Sequence, residues 1–349
     1  MTTSVLALVL VVAGCVGEEK PAAGGADLDA EIAAEMDAAW DEVRAHWDRV
    51  RLEEATEEDD PQPELARGFY RFYVAHSGKP AGDKALETAF AMWGNVGAIE
   101  EIEDAIPTID PDSEVWASIL NSIGNAYARN ERWEDYRRLR AGLEGKLTHP
   151  RSQSELFLDL AEERAHEKRT DEARDYYERI IALDADPFYV DRAKGNLYEL
   201  SSLNEGDPAP ELAAEDLDGN AIKLSTLRGN VVLIEFWSTT CGPCIPEIAH
   251  LKKIHTNHGG ADFALLGVAL DEKADDVRDL LEREAMEWPQ ILESERFEGE
   301  VSAAYNVYYI PRSFLIDAEG RIIAKDLRGE DLERAVSEAL GQPGNHAVE

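Results

Sequence analysis

The sequence predicts an all-α domain over residues 28–203 followed by an α/β domain over residues 204–349. Residues 64 to about 203 carry helical periodicity with no strand-like alternation. Beyond the Ser-, Gly- and Pro-bearing segment 201–210, short apolar runs alternate with helical stretches, the mark of an α/β layer. A third observation locates the chemistry. The apolar run 231–236 leads through Trp237-Ser238-Thr239-Thr240 into Cys241-Gly242-Pro243-Cys244, so a Cys-x-x-Cys sits where a buried strand ends and a helix begins.

Taken in order, residues 5–13 form an apolar run of signal-peptide length, too short to span a bilayer. The residues that close it, Val12-Ala13-Gly14-Cys15, resemble the lipobox of bacterial lipoproteins, although Met1-Thr2-Thr3-Ser4 lacks the usual Lys or Arg. That resemblance implies a signal peptide over residues 1–14, lipidation of Cys15, and a chain tethered at the periplasmic or extracytoplasmic face of a bacterial membrane. Residues 15–27, rich in Gly, Ala, Pro and charge, read as a flexible tether.

From 28 to 52 the pattern is helical. Met36, Trp40, Val43, Trp47 and Val50 alternate steps of four and three and form one apolar seam, expected to pack on its own domain. The acidic, Pro-bearing stretch 57–63 interrupts it. Two helical hairpins then look related. One runs through Ile119, Leu120, Ile123 and Ala126-Tyr127 to Trp133, Tyr136 and Leu139. The other runs through Leu156, Leu160-Ala161 and Ala165 to Ala173, Tyr176-Tyr177 and Ile180-Ile181. Their offset of about 38 residues lies in the range of helical-repeat arrays. Small Ala at the crossing and Tyr on the second helix are similar to tetratricopeptide repeats, so a TPR-like docking surface is expected, with no catalytic cluster.

In the second domain, Asp218-Gly219-Asn220 turns a hairpin within 211–224, and 231–237 is a central strand. A helix runs from the cysteine motif to His258, 263–270 is a second buried strand and 274–285 a helix. Residues 314–316 and 322–325 form a hairpin across 317–320, and a helix over 331–340 closes the chain.

Composition narrows the function. With 35 Lys plus Arg against 72 Asp plus Glu, the formal net charge is −37, which excludes nucleic-acid binding because phosphate contacts need concentrated basic surface. The chain has three cysteines, Cys15, Cys241 and Cys244. At a helix start the unpartnered backbone N–H groups stabilise a thiolate and lower its pKa. A second thiol nearby then displaces what the first has captured, which describes a dithiol–disulfide couple.

Several features occur in a fixed order: Gly206-Asp207-Pro208-Ala209-Pro210, Leu224-x-x-Leu227-Arg228-Gly229, and Cys241-Gly242-Pro243-Cys244. They are followed by Tyr309-Ile310-Pro311-Arg312-Ser313-Phe314-Leu315-Ile316-Asp317 with Gly320. Over residues 204–342 this set resembles the extracytoplasmic thioredoxin-like thiol–disulfide oxidoreductases of the TlpA/ResA type. The resemblance implies a thioredoxin-like fold and no cofactor or metal beyond a redox-active Cys241–Cys244 disulfide. It makes Cys241 the attacking thiolate and Cys244 the resolving one. Glu235, inside an apolar strand, matches the buried acid of thioredoxins, and Glu247 matches an acid of the ResA branch; both are expected to move protons. Pro311 resembles the cis-proline beside the dithiol, which presents Ile310 to substrate. Trp237, Gly242, Pro243 and Ile310 are the expected substrate contacts.

The implied partners are a disulfide-bearing protein substrate and an upstream membrane thiol donor. Gly242-Pro243 lacks the His that oxidising relatives place between the cysteines, which predicts a reductase. Two departures stand out: Thr240 replaces the usual Trp before the first cysteine, and Pro246 lies in the first turns of the helix. Three rival readings stand beside this one. A peroxiredoxin-type thiol peroxidase would need Pro where Ile234 stands, a zinc site would use His255 and His258 with the cysteines, and an adaptor would use the helical domain alone.

Overall fold

The computed structural model describes residues 25–52, 56–260 and 262–341. The expected leader 1–14, Cys15 and the tether up to residue 24 lie outside the described residues, as do residues 342–349. The chain divides between Val190 and Asp191 into two compact units. This lies upstream of the sequence-derived boundary at 203/204 and inside a helix.

The first unit is helical throughout: α1 (Gly25–Arg51), α2 (Gln62–Ala75), α3 (Pro80–Val96), α4 (Ile99–Ala105), α5 (Val115–Arg129), α6 (Trp133–Glu144), α7 (Pro150–His166), α8 (Thr170–Leu183) and the start of α9 (Pro187–Ser202). Its core centres on Phe69, Leu86, Phe90, Met92, Trp93 and Trp116. The seam of α1 packs on this core, but one position out of the expected phase. Ile32, Ala39 and Val43 are buried with Met36 and Trp40 against them, while His46 is buried and Trp47 is exposed. The buried positions Ile32, Ala39 and His46 keep a seven-residue spacing, so the seam lies one residue to the N-terminal side of the expected one. The two hairpins α5–α6 and α7–α8 turn alike. Glu131 and Lys168, 37 residues apart, both have positive φ, and the following Arg132 and Arg169 donate back to Tyr127 and Arg164. Among the described residues, no helix is long and apolar enough to cross a membrane.

The second unit carries a β1 (Ala213–Glu215)–β2 (Ala221–Lys223) hairpin and a five-stranded sheet of β3 (Val231–Trp237), β4 (Phe263–Ala269), β5 (Gln290–Leu292), β6 (Arg312–Ile316) and β7 (Ile322–Lys325). The sheet order is β5-β4-β3-β6-β7, parallel through β5, β4 and β3 and antiparallel through β6 and β7. Helices α10 (Cys244–His258), α11 (Ala274–Glu284), α12 (Glu300–Ala304) and α13 (Gly329–Ala339) complete this thioredoxin-like α/β fold. Every residue of β3 is buried, as expected of a strand with a partner on each side and helices on the faces. Val232, Ile234 and Phe236 pack with Tyr305, Phe314 and Ile316, while Val231, Leu233 and Trp237 share the opposite core with Cys241, Cys244, Ile248, Leu251 and Val336. β5 and α12 are too short to leave a periodic signature in the sequence.

The C-terminal part of α9 is tied to this unit by Asn196, which accepts from Asn306, and by one carboxylate. Glu199 accepts from Arg312 Nη2 at 2.6 Å and Nη1 at 3.2 Å, from Lys325 Nζ at 2.9 Å and from Asn306 Nδ2 at 2.9 Å. Arg312 is only 1% exposed. The guanidinium and ammonium overcome the cost of burial and hold the Glu199 carboxyl down at about 2. A carboxyl depressed in the fold stabilises it above the ordinary carboxylate range, and that contribution is lost as pH falls toward 2. Glu199→Gln strands the buried Arg312. It is expected to destabilise this unit by about 3 kcal/mol and to flatten stability between pH ~4.5 and ~2, read by urea denaturation at stepped pH. Parallel wild-type and mutant curves across that window would refute the assignment.

Candidate active site

β3 ends at Trp237, and the connection to α10 is held from below. The Asp271 carboxylate, buried at the end of β4, accepts from Thr239 N at 3.1 Å and from Thr239 Oγ1 at 2.5 Å. Ser238 Oγ and Thr240 Oγ1 lie 3.2 Å apart. The turn then delivers Cys241, whose N–H meets Ser238 O at 3.2 Å, and Cys244, whose N–H meets Cys241 O at 3.0 Å. Cys244 is the first residue of α10, and Pro246 stands in the first turn, where its missing N–H would have had no helical partner. The two cysteines form a disulfide with their Cα atoms 5.3 Å apart. Cys241 is 9% exposed and Cys244 2%, the order expected of an outer and an inner sulfur.

Around this pair, Gly242 and Pro243 are exposed, and so are Ile245 on α10 and Tyr309 in the loop before β6. The Ile310–Pro311 peptide is cis, and Ile310 packs into both cores of the unit. Arg312 lies 5.2 Å from the ring centres of both Tyr309 and Phe314, so the Glu199 network reaches the proline loop. Trp237 is buried, with Nε1 donating to Gln290 Oε1 at 3.0 Å, rather than presented at the surface as a substrate contact would be.

Glu235 shares the sheet face of Leu233 and Trp237 and is 2% exposed. Its register partners are Gly267 on β4 and Ser313 on β6. Burial pushes its carboxyl up to about 8, with Glu247 and Asp326 adding to the rise and Arg328 opposing it. Glu235 Oε2 accepts no hydrogen bond and lies 3.6 Å from Arg328 Nη1. Glu247 is half-buried, and its Oε2 accepts the N–H of Gly329, the first residue of α13, at 3.0 Å. Glu247, expected to move protons, therefore also caps the start of α13. Sequence reasoning missed Arg328 and Asp271, because nothing in the local pattern marks which distant side chain will reach the β3–α10 corner.

Two rival readings meet the geometry poorly. Ile234 sits within β3 with strands on both sides, where Pro would remove a ladder hydrogen bond, so a peroxiredoxin-type loop does not fit. His255 stands eleven residues after Cys244 on one helix, roughly 16 Å along its axis, and packs against Trp288. His258 lies farther on, beside Ser337. Among the described residues, no group of three or more His, Cys, Asp or Glu is placed to hold a metal ion.

Comparison with known proteins agrees with the geometry. Residues 204–342 match the family model described as Redoxin. The thiol-disulfide oxidoreductase ResA of Geobacillus kaustophilus is 31% identical over 139 residues, 39% of this chain and 78% of the relative. ResA of Bacillus subtilis is 30% identical over 122 residues, 35% of this chain and 66% of the relative. Among solved structures, the thioredoxin domain of a thiol-disulfide oxidoreductase from Bacteroides vulgatus is 33% identical, covering 39% of this chain and 98% of its own, with a TM-score of 0.37.

The raised Glu235 carboxyl has a consequence for stability. A carboxyl that binds its proton more tightly in the fold than in the unfolded chain stabilises the fold fully below the ordinary carboxylate range and loses that contribution as pH rises to about 8. The unit is expected to lose roughly 3–5 kcal/mol of stability from this group between pH ~4.5 and ~8. Glu235→Gln should remove that slope. Denaturant titrations of wild type and variant at stepped pH check it, and an equal slope in both would contradict it.

Proposed function

Because this chain belongs, through its C-terminal unit, to the ResA-type thiol–disulfide oxidoreductases, we propose that it is a reductase of protein disulfides held at the extracytoplasmic face of a bacterial membrane by lipid on Cys15. The observation that carries the reading is the Cys241–Cys244 disulfide at the start of α10, on the sheet face that buries Glu235. In the reduced protein, the Cys241 thiolate attacks one sulfur of a substrate disulfide and the other substrate sulfur leaves as a thiolate. A mixed disulfide results. Glu235 takes the proton of Cys244, and the Cys244 thiolate attacks Cys241 Sγ. The intramolecular disulfide closes and the second substrate sulfur departs, so two electrons pass to the substrate. A membrane thiol donor then reduces the pair again.

Gly242, Pro243, Ile245, Tyr309 and Ile310 form the proposed substrate face, with Pro311 setting the loop. Trp237 supports it from beneath. Glu247 acts by fixing α13 against α10 and by its charge near Glu235. The TPR-like hairpins α5–α6 and α7–α8 are the proposed recruiting surface for the substrate protein, raising its effective concentration near Cys241.

In insulin reduction by the full chain with dithiothreitol, Cys241→Ala is expected to fall to the background rate and Glu235→Gln by about 10². Cys244→Ala should accumulate a mixed disulfide with substrate that dithiothreitol releases. An oxidised pair that never cycles, with no reduction by the wild type, would end this reading. Recruitment is tested separately by deleting residues 28–190, which spares Glu199; a cut at 200 would orphan Arg312. Turnover of the natural substrate is expected to drop while reduction of a small disulfide is unchanged. Equal losses on both would refute a recruiting role.

A further inference from the structure

The charged groups that act on Glu235 come from two directions. Glu247 faces it from α10, and Asp326 and Arg328 from the segment between β7 and α13. Its own sheet offers only Gly267 and Ser313 in register, and the Cys241–Cys244 pair lies in the apolar core of the same face. Arg328 is therefore the one cation that answers two neighbouring carboxylates. Its Nη1 is already engaged, donating to Ser313 Oγ at 2.9 Å and to Leu327 O at 2.9 Å. From that position it stands 3.6 Å from Glu235 Oε2, close enough for attraction and too far for a hydrogen bond.

The backbone makes this placement stiff. Gly329 follows Arg328 with φ 54°, in the left-handed region that favours glycine, and its N–H is tied to Glu247. Asp326 accepts from Ser313 N at 3.2 Å and sits 3.5 Å from Arg312 Nε, so the segment before Arg328 is tied to β6. Arg328 is thus pinned by both flanks and by its own hydrogen bonds, and its distance from Glu235 is set by the fold.

We propose that Arg328 is a positioning residue for the proton step at Cys244, supplying a fixed positive charge near Glu235 without occupying the oxygen that must take the proton. The proposal rests on the reading of Glu235 as the proton acceptor. A guanidinium hydrogen-bonded to the carboxylate would hold it ionised and occupied. With no cation there, burial and the charges of Glu247 and Asp326 would keep it protonated into alkaline conditions. Arg328 holds the group between those extremes.

The test uses the full chain in wild-type form and as Arg328→Met, Arg328→Lys, Glu235→Gln and the double variant Arg328→Met/Glu235→Gln. Two quantities are followed against pH: the rate of insulin reduction, and the titration of Glu235 itself in the oxidised protein by carboxyl carbon NMR. Arg328→Met, which keeps the apolar stem, is expected to move both midpoints upward by about one to three pH units. Arg328→Lys should return them most of the way, and the double variant should show no displacement beyond that of Glu235→Gln. An Arg328→Met protein whose Glu235 titrates as in the wild type overturns the proposal, as does one that loses stability or rate with no displacement of the midpoint. If Arg328→Met moves the NMR midpoint while Glu235→Gln leaves the rate profile unchanged, the electrostatic coupling stands but Glu235 is not the acceptor, and the proposed role of Arg328 falls with it. If Glu235→Gln moves the profile and Arg328→Met does not, Arg328 alone is refuted.

Discussion

The second unit is organised around the burial of a carboxylate in the middle of β3. Each residue of that strand is buried, with β4 on one side and β6 on the other. Side chains of a strand alternate between faces, so a slip of one residue would exchange them all. Phe236, Tyr305 and Phe314 form an aromatic group on one face. Glu235 cannot move there without displacing them, and the same register keeps it on the face of the dithiol. Packing on one side of the sheet thus sets the chemistry on the other.

Buried Glu235 and half-buried Glu199 stand in opposite states, and the difference lies in their donors. Glu199 collects four N–H donors from Arg312, Lys325 and Asn306, and its carboxyl falls to about 2. Glu235 sees one cation that is committed to Ser313 and Leu327, and it rises to about 8. A desolvation cost is common to both. What separates them is whether the neighbouring charge is delivered as hydrogen bonds or only as a field. Asp326 belongs to both neighbourhoods, since it sits beside Arg312 and opposes ionisation of Glu235.

Features written contiguously were legible in the sequence. The apolar run into Cys241, the Pro311 tract and the acid interrupting an apolar strand all declare themselves within a dozen residues. The helices from 64 onward showed their periodicity, although the phase of α1 slipped and exchanged Trp47 for His46. Hidden features are those made through space. Glu199 reads as an ordinary acid on α9 until Arg312 closes on it. Arg328 and Asp271 carry no local mark, because each acts on residues that the topology alone brings near. β5 spans three residues, fewer than alternation needs to show itself.

The same electrostatics bear on the direction of electron flow. A dithiol becomes a strong oxidant when its reduced, thiolate form is specially stabilised. Here the surroundings do little of that. Gly242-Pro243 places no charge between the sulfurs, and Cys241 precedes α10 instead of lying inside its first turn. The acids around the corner, Asp271, Glu247 and Glu235, add no positive charge to favour a thiolate. Arg328 is the nearby cation, and its hydrogen bonds turn it toward Ser313 and Leu327. These surroundings support the proposed direction, in which the dithiol gives up its electrons to the substrate.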